Sequence, residues 1–383
     1  MKKNRSKLGV SRLVAVGLAV AVLAALGVGL AASGLLGPMM TTTTTTSKIA
    51  WPQKLLGGGA TFLNPLMQRW AYEFQSQKGY FGVDYQSIGS GQGIAKLKDQ
   101  AVDFGASDGP LKRTDWETLR NVRGGVIHIP VTIGADVAAY NVPSVTELRL
   151  TQELVLAIFD GTVKKWNDQR LVELNPALKD IDKEILVAYR ADRSGTTFVW
   201  TDFLGKVSHD KYPTDFSFKV PDSEGDKRRF IGAKGNEGVT ETIKKTPYSI
   251  GYIELSYAIL NNLAHASIQN KAGSFVKATP ESVQEAVQSV LEAVTLPDPK
   301  DDWSKVSMLR LEPPSVGAYP VISFSYLLVY VENPPEKANA LREFITWVLV
   351  EGQKYAAEVQ GYIPMPSRAV ELSLKAVSYI KAS

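Results

Sequence analysis

The sequence predicts an α/β fold. After Trp51, β-rich runs alternate with segments of helical spacing, and 44% of the chain is hydrophobic against 21% charged. No internal repeat occurs, and no second long apolar span follows the one near the start. A length of 383 residues admits two domains or one large α/β unit.

The head of the chain is separate in character. Residues 1–12 hold Lys2, Lys3, Arg5, Lys7 and Arg12, a basic flank with no acid. Residues 13–36 then run 24 positions without a charge. As a helix at about 1.5 Å per residue they reach roughly 36 Å, enough for a bilayer core of about 30 Å. Two readings stand. An uncleaved anchor fits the length and leaves the basic flank in the cytoplasm, with the rest of the chain outside. A secretory signal has a shorter apolar region, about 7–15 residues, though AASG at 31–34 offers small residues for cleavage. Residues 37–50 form a linker around TTTTTTS at 41–47, a surface spacer with nothing to bury.

Charge and cysteine content exclude several classes. The whole chain carries +4, and five bases lie before Lys48, so the remainder is −1. That is no footprint for nucleic acid. The absence of cysteine rules out disulfides, thiol chemistry and a lipid anchor on cysteine.

Strands are expected at 102–107 (VDFGAS), 126–131 (VIHIPV), 184–189 (EILVAY), 249–254 (SIGYIE) and 319–331 (YPVISFSYLLVYV). Helices are expected from about Asn64, where Leu66, Trp70 and Phe74 recur at spacing four, from Gly93, over 151–159, from Thr196 and over 335–359. DSEGDKRR at 222–229 and LPDPKDD at 296–302 are expected to be surface loops.

Three stretches share one design, a Gly-rich or hydroxyl-rich turn just before a helix: GGGATFLNP at 57–65, SIGSGQGIAKLKD at 87–99 and RADRSGTTF at 190–198. A helix N-terminus leaves backbone N–H groups unpaired and carries partial positive charge. One such turn is an ordinary cap, but three with an arginine suggest an oxyanion held where helices converge. Asp108, in FGASDGPL at 104–111, reads either as a turn residue or as part of that site. An ionised carboxylate only accepts hydrogen bonds, so beside an anion it makes sense if the ligand has a proton to give. Phosphate has one at neutral pH and sulfate has none; rejection by an unpaired like charge follows.

Taken together, GGGATF, YQSIGSGQGI, VDFGASDGPL, YRADRSGTTFVWTDFL, KGNEGV and SIGYIELSYA closely resemble the phosphate-binding proteins of phosphate ABC importers, the PstS family. The resemblance runs from about Leu55 to Pro366 in the same order. It implies a two-lobed periplasmic-binding-protein-like fold (type II), closing like a hinge over one dehydrated phosphate. The chain would cross twice between lobes, with 51–132 and 320–383 in lobe one and 133–319 in lobe two. Carried over residue by residue, the resemblance puts Thr61 and the Phe62 N–H on the anion, adds Ser90, and makes Asp108 the proton acceptor. It makes Arg190 the charge partner, Asp192 its orienting neighbour, and Ser194, Gly195 and Thr196 donors. The partners implied are inorganic phosphate and an ABC permease with a separate ATPase, with no nucleic acid, no cofactor and a monomeric chain on the extracytoplasmic face. One position departs from the pattern: Arg193 stands where the family usually has glycine, and its side chain would point to solvent or pair with an acid.

An enzyme is the rival reading. Residues 105–109, GASDG, match G-x-S-x-G, but Gly109-Pro110 prevents the helix a nucleophile elbow needs directly after Ser107. His128, His209 and His265 are isolated, and neither metal-ligand spacing nor a phosphate-cradling G-x-x-x-x-G-K-[ST] loop occurs. Within the binding class, arsenate, sulfate and molybdate remain as alternative ligands.

Overall fold

One strand runs through the whole architecture. In the computed structural model, which describes residues 50–222, 227–293, 295–309 and 315–383, the strand Val126–Asn141 extends for 16 residues and is buried for nearly all of its length. The expected strand at 126–131 is therefore only its first third. The basic flank, the apolar segment 13–36 and most of the linker lie outside the described residues. Among the described residues no helix is long and apolar enough to cross a membrane.

Strands are numbered along the chain as β1 Lys54–Gly59, β2 Gly82–Ser87, β3 Phe104–Ser107, β4 Val126–Asn141, β5 Arg149–Leu150, β6 Leu186–Arg190 and β7 Phe230–Ala233. They continue as β8 Ser249–Glu254, β9 Ala264–His265, β10 Ser267–Gln269, β11 Phe275–Val276 and β12 Ile322–Tyr330. The main sheet has the order β2-β1-β3-β12-β4-β8-β6-β7, with β9 on β4. β1 pairs in parallel with β2 and β3, and β6 in parallel with β7 and β8. β4 joins these two groups: residues 126–135 pair antiparallel with β12, and 136–141 with β8. Parallel pairs need crossover connections, and helices supply them.

Pro130 sits inside β4 and cannot donate to the ladder, and the register slips opposite it, between Ser325 and Tyr326. Side chains take up the carbonyls there: Ser373 Oγ donates to Pro130 O at 2.6 Å and Gln353 Nε2 to Val131 O at 3.0 Å. Two apolar clusters flank the sheet system. One gathers Trp70, Phe74, Phe104, Phe344 and Trp347, and the other Trp166, Trp200, Phe203, Tyr252 and Trp303. Each such buried aromatic contributes about 1.5–3 kcal/mol of burial free energy, beside the more numerous aliphatic residues.

Sequence and structure differ at further places. The glycines 57–59 are the end of β1 rather than a turn; the turn is Ala60–Leu63, just before the helix Asn64–Lys78. The expected helix over 335–359 is two, Pro335–Val350 and Gln353–Glu358, and the Gly352 carbonyl at the break accepts the Trp70 indole N–H at 2.8 Å. The helix expected from Gly93 starts earlier, at Ser90. Finally, the stretch 222–229 is not all surface: Arg229 is buried, donating to Ile185 O at 3.1 Å and Gly161 O at 3.4 Å. Its other half lies partly outside the described residues.

Candidate functional site

Four helix N-termini meet at one place, one more than the sequence suggested. The helix Ser90–Lys98 follows β2, and the helix Asn64–Lys78 follows β1. The helix Gly195–Val207 follows β6, and the helix Gly235–Lys245 follows β7. Each begins beyond the C-terminal end of a parallel strand, where open α/β sheets bind ligands. The fourth helix was inside the quoted KGNEGV but was given no role. Its Asn236 is the link sequence reasoning missed. Asn236 Nδ2 donates to Thr61 Oγ1 at 3.0 Å and to Thr196 Oγ1 at 3.1 Å, while its Oδ1 accepts the Glu254 N–H at 3.1 Å. Three of the four helix starts are thereby tied through one amide side chain.

Arg190 ends β6 and is almost fully buried. Its Nε and Nη2 grip Asp192 at 2.8 and 2.6 Å, and Nη1 reaches Thr196 Oγ1 at 3.3 Å. The backbone N–H of Arg190 donates to the Tyr252 hydroxyl at 3.1 Å, which also meets Thr197 Oγ1 at 2.8 Å. Asp192 accepts in addition from the Gly235 N–H at 3.1 Å. Burial alone would raise the Asp192 pKa, but the two bonds from Arg190 and its charge overcome that and hold it below the usual carboxylate range.

Asp108 follows β3 and is 1% exposed. Ser325, on β12, donates to its Oδ1 at 2.8 Å, and Ser90 lies 3.4 Å from its Oδ2. Burial pushes this carboxyl up to about 7, and the Ser325 bond, the Arg190 charge and the Ser90 bond only partly oppose it. Ser325 was invisible in the sequence, because nothing distinguishes an inward hydroxyl in ISFSYLLVY from an ordinary strand residue.

Gly195 explains why RSGTT needs its glycine. A Cβ there would fall 2.5 Å from both Asp108 Oδ2 and Ser90 Oγ. Gly89 has φ +87, and a Cβ on it would fall 2.5 Å from Asp192 Oδ2. The Gly91 N–H donates to Arg193 O at 3.0 Å, joining the start of Ser90–Lys98 to the turn before Gly195–Val207. Ser194 caps its helix by accepting the Thr197 N–H at 3.2 Å, which leaves its own O–H to donate.

All nine sequence-predicted residues therefore fall in one cluster: Thr61, Phe62, Ser90, Asp108, Arg190, Asp192, Ser194, Gly195 and Thr196. Phe62 contributes main chain; its ring is buried and its carbonyl accepts from the Tyr362 hydroxyl. Arg193 stands apart. It is exposed, it is not among the residues with positive φ, and its guanidinium lies 6.0 Å from the Phe216 ring centroid, close enough to Asp215 to favour that carboxylate. The cluster can hold a small oxyanion: converging amides and hydroxyls, one fully paired cation, and one acid that accepts or keeps a proton.

The elbow reading fails on geometry. Ser107 Oγ donates to Gly109 O at 2.6 Å, and the next helix begins only at Arg113. His128 is a buried strand residue that accepts the Leu111 N–H at 3.1 Å and stacks on Trp303. Among the described residues no cluster of metal-ligating side chains occurs.

Comparison with known proteins places the chain in a family. The family profile described as a PBP superfamily domain matches residues 41–351. The phosphate-binding protein PstS of Methanocaldococcus jannaschii is 34% identical over 334 residues, covering 84% of this chain and 85% of that protein. The phosphate-binding protein PstS of Pasteurella multocida is 37% identical over 328 residues, covering 83% and 88%. Among solved structures, a phosphate binding protein from Stenotrophomonas maltophilia superposes with a TM-score of 0.64 at 18% identity, covering 84% of this chain and 93% of that one. The last is a likeness of fold.

Proposed function

This chain belongs to the PstS family of phosphate-binding proteins, and we propose that it captures inorganic phosphate between two lobes and delivers it to a membrane permease driven by a separate ATPase. It is a binding protein of periplasmic-binding-protein-like fold, not an enzyme. We place 51–132 with 320–383 in one lobe and 133–319 in the other. The exchange of partners along β4 supports that division: β12 takes its first part and β8 its last.

In this reading Thr61, Phe62, Ser90 and Asp108 meet the anion from one side, and Arg190, Ser194, Gly195 and Thr196 from the other. Asp192 orients Arg190. The Gly91–Arg193 backbone bond belongs to the closed form, so capture and closure are one equilibrium. We further read the chain as a monomer on the extracytoplasmic face, held there by residues 13–36 or released by their cleavage.

The observation that carries the proposal is Asp108. A buried acid already fitted with hydroxyl donors, beside Gly195 and opposite Arg190, is out of place in a site for a fully ionised anion. It suits one that still bears a proton. Titration calorimetry of the full chain with phosphate, arsenate and sulfate tests this. Phosphate should bind and sulfate should not; equal binding of the two, or heat from neither, would refute the assignment. Arsenate shares the proton, so discrimination against it must come from size and hydrogen-bond angle.

A further inference from the structure

Beneath the anion cradle, the central strand carries a carboxyl group that none of the above explains. Asp136 in β4 faces Glu254 in β8 as a cross-strand pair, so the two side chains leave the sheet on one face. The cradle marks that face on both sides of Asp136. Two residues earlier, a Cβ on Gly134 would fall 2.6 Å from the Phe62 ring and 3.3 Å from Glu254 Oε1. Two residues later, Ala138 pairs with Tyr252, whose hydroxyl meets the Arg190 N–H and Thr197. Asp136 therefore lies between the Phe62 turn and the first turn of Gly195–Val207, on the floor of the site.

Asp136 is fully buried, and neither of its carboxyl oxygens has a partner. Glu254 is buried too; its Oε2 accepts the Ser256 N–H at 2.9 Å while its Oε1 has no partner. The titratable groups that face Asp136 are Asp108 beyond β3, Glu254 and Tyr252 on β8, Tyr319 before β12 and Arg190 at the end of β6. Two of them are acids. The one cation is already bound to Asp192 at 2.6 Å. An ionised Asp136 would be an uncompensated charge in a dry interior beside the bound anion. Burial, and then Asp108 and Glu254, hold its proton well above the usual carboxylate range against the pull of Arg190.

We propose that Asp136 is a neutral carboxylic acid that donates its O–H hydrogen bond to the captured anion, making it a specificity-determining residue of opposite sense to Asp108. Asp108 accepts from the ligand's protonated oxygen, and Asp136 gives to a bare one. Together they match an oxyanion with both kinds of oxygen and add no charge on the donor side. The inference rests on the phosphate reading above.

Infrared difference spectroscopy of the full chain, with and without inorganic phosphate, tests it alongside calorimetry. At about pH 9, where Asp108 is ionised, phosphate should still shift the C=O stretch of a protonated carboxyl, and Asp136→Asn should remove that signal; because the amide keeps a donor, its loss of affinity should be smaller than that of a variant without one. Asp136→Leu, of similar size but without a donor, should lose about tenfold to a hundredfold. If the leucine variant fails to fold, 13C labelling of aspartate in the unmutated chain must shift the same band. A signal that survives Asp136→Asn, a band that ignores the label, or wild-type affinity in the leucine variant overturns the inference while phosphate binding stands. A wild-type chain that binds no phosphate overturns the function itself.

Discussion

Asp108 and Asp192 belong to the same small cluster, yet the fold drives them in opposite directions. Asp192 is clamped by Arg190 through two short hydrogen bonds and takes a third from the Gly235 N–H, so its charge is fixed. Asp108 is buried more deeply with only serine hydroxyls in contact, and its carboxyl rises to about 7. One residue type thus serves two tasks. Asp192 holds a cation in place, and in the proposed site Asp108 would exchange a proton with the ligand. The lesson is that the partner, not the burial, decides whether a buried acid is structural or responsive.

The strongest way to break this contrast is to remove the clamp. Arg190→Ala leaves Asp192 buried without its cation and should weaken phosphate binding by about 3–5 kcal/mol, as read by calorimetry. An affinity like the wild type would take Arg190 out of the site. Next, Asp192→Asn should leave Arg190 charged but poorly held, at a cost of about 1.5–3 kcal/mol in phosphate affinity, without changing the preference for phosphate over sulfate.

Asp108→Asn tests the other member. It should fold normally and narrow the gap between phosphate and sulfate by about 1.5–3 kcal/mol; a variant as selective as wild type would end the proton-acceptor role. The pKa of Asp108 adds a pH signature. Folding raises it from an ordinary 3.8 to about 7, so the neutral form is the one the fold prefers. The stability this contributes is complete below the unfolded value and disappears as pH rises through about 7. Denaturant melts of the ligand-free chain should show that slope, and Asp108→Asn should flatten it. Sulfate should bind wild type better as the medium is acidified through the same range, by up to about tenfold per pH unit, and should bind the asparagine variant equally throughout.

The smallest effects sharpen the comparison. Ser325→Ala removes the 2.8 Å bond to Asp108 and should move its titration upward, with about 1 kcal/mol lost in phosphate affinity at neutral pH. Arg193→Ala should leave equilibrium binding unchanged, because only its backbone carbonyl joins the site. A slower association at low salt is the one difference expected, measured by stopped-flow fluorescence.

The three turns, the arginine and the acid were legible because each uses a residue type with few other uses: glycine where a Cβ would collide, as at Gly195, or an aspartate two residues after an arginine. The helix at Asn64 was legible from its clean apolar spacing, and the strand at 249–254 from a short β-rich run, all of which is buried. What was not legible depends on long-range packing. Asn236 became a hub only when the helix start after β7 met the turn after β1, from strands near opposite edges of the sheet, and Ser325 mattered only because β12 lies beside β3. β1 was missed because three glycines carry no strand propensity; its parallel partners on both sides supply the order instead. The split in 335–359 is set by Trp70, nearly three hundred positions away, claiming a carbonyl at the break.

The continuity of β4 has a mechanical consequence. Because the amide of Asp136 donates to Val321 O at 3.1 Å while its carbonyl accepts from the Tyr319 hydroxyl at 2.9 Å, the strand is gripped at the residue where its partner changes. In the two-lobe reading proposed above, a swing that opens the cradle would be absorbed as torsion at the two crossings, near 133–136 and 319–321. The two crossings would then act as a paired flexure that returns the ladders to register, and the reach of the opening would be limited by how far they twist before those two grips release.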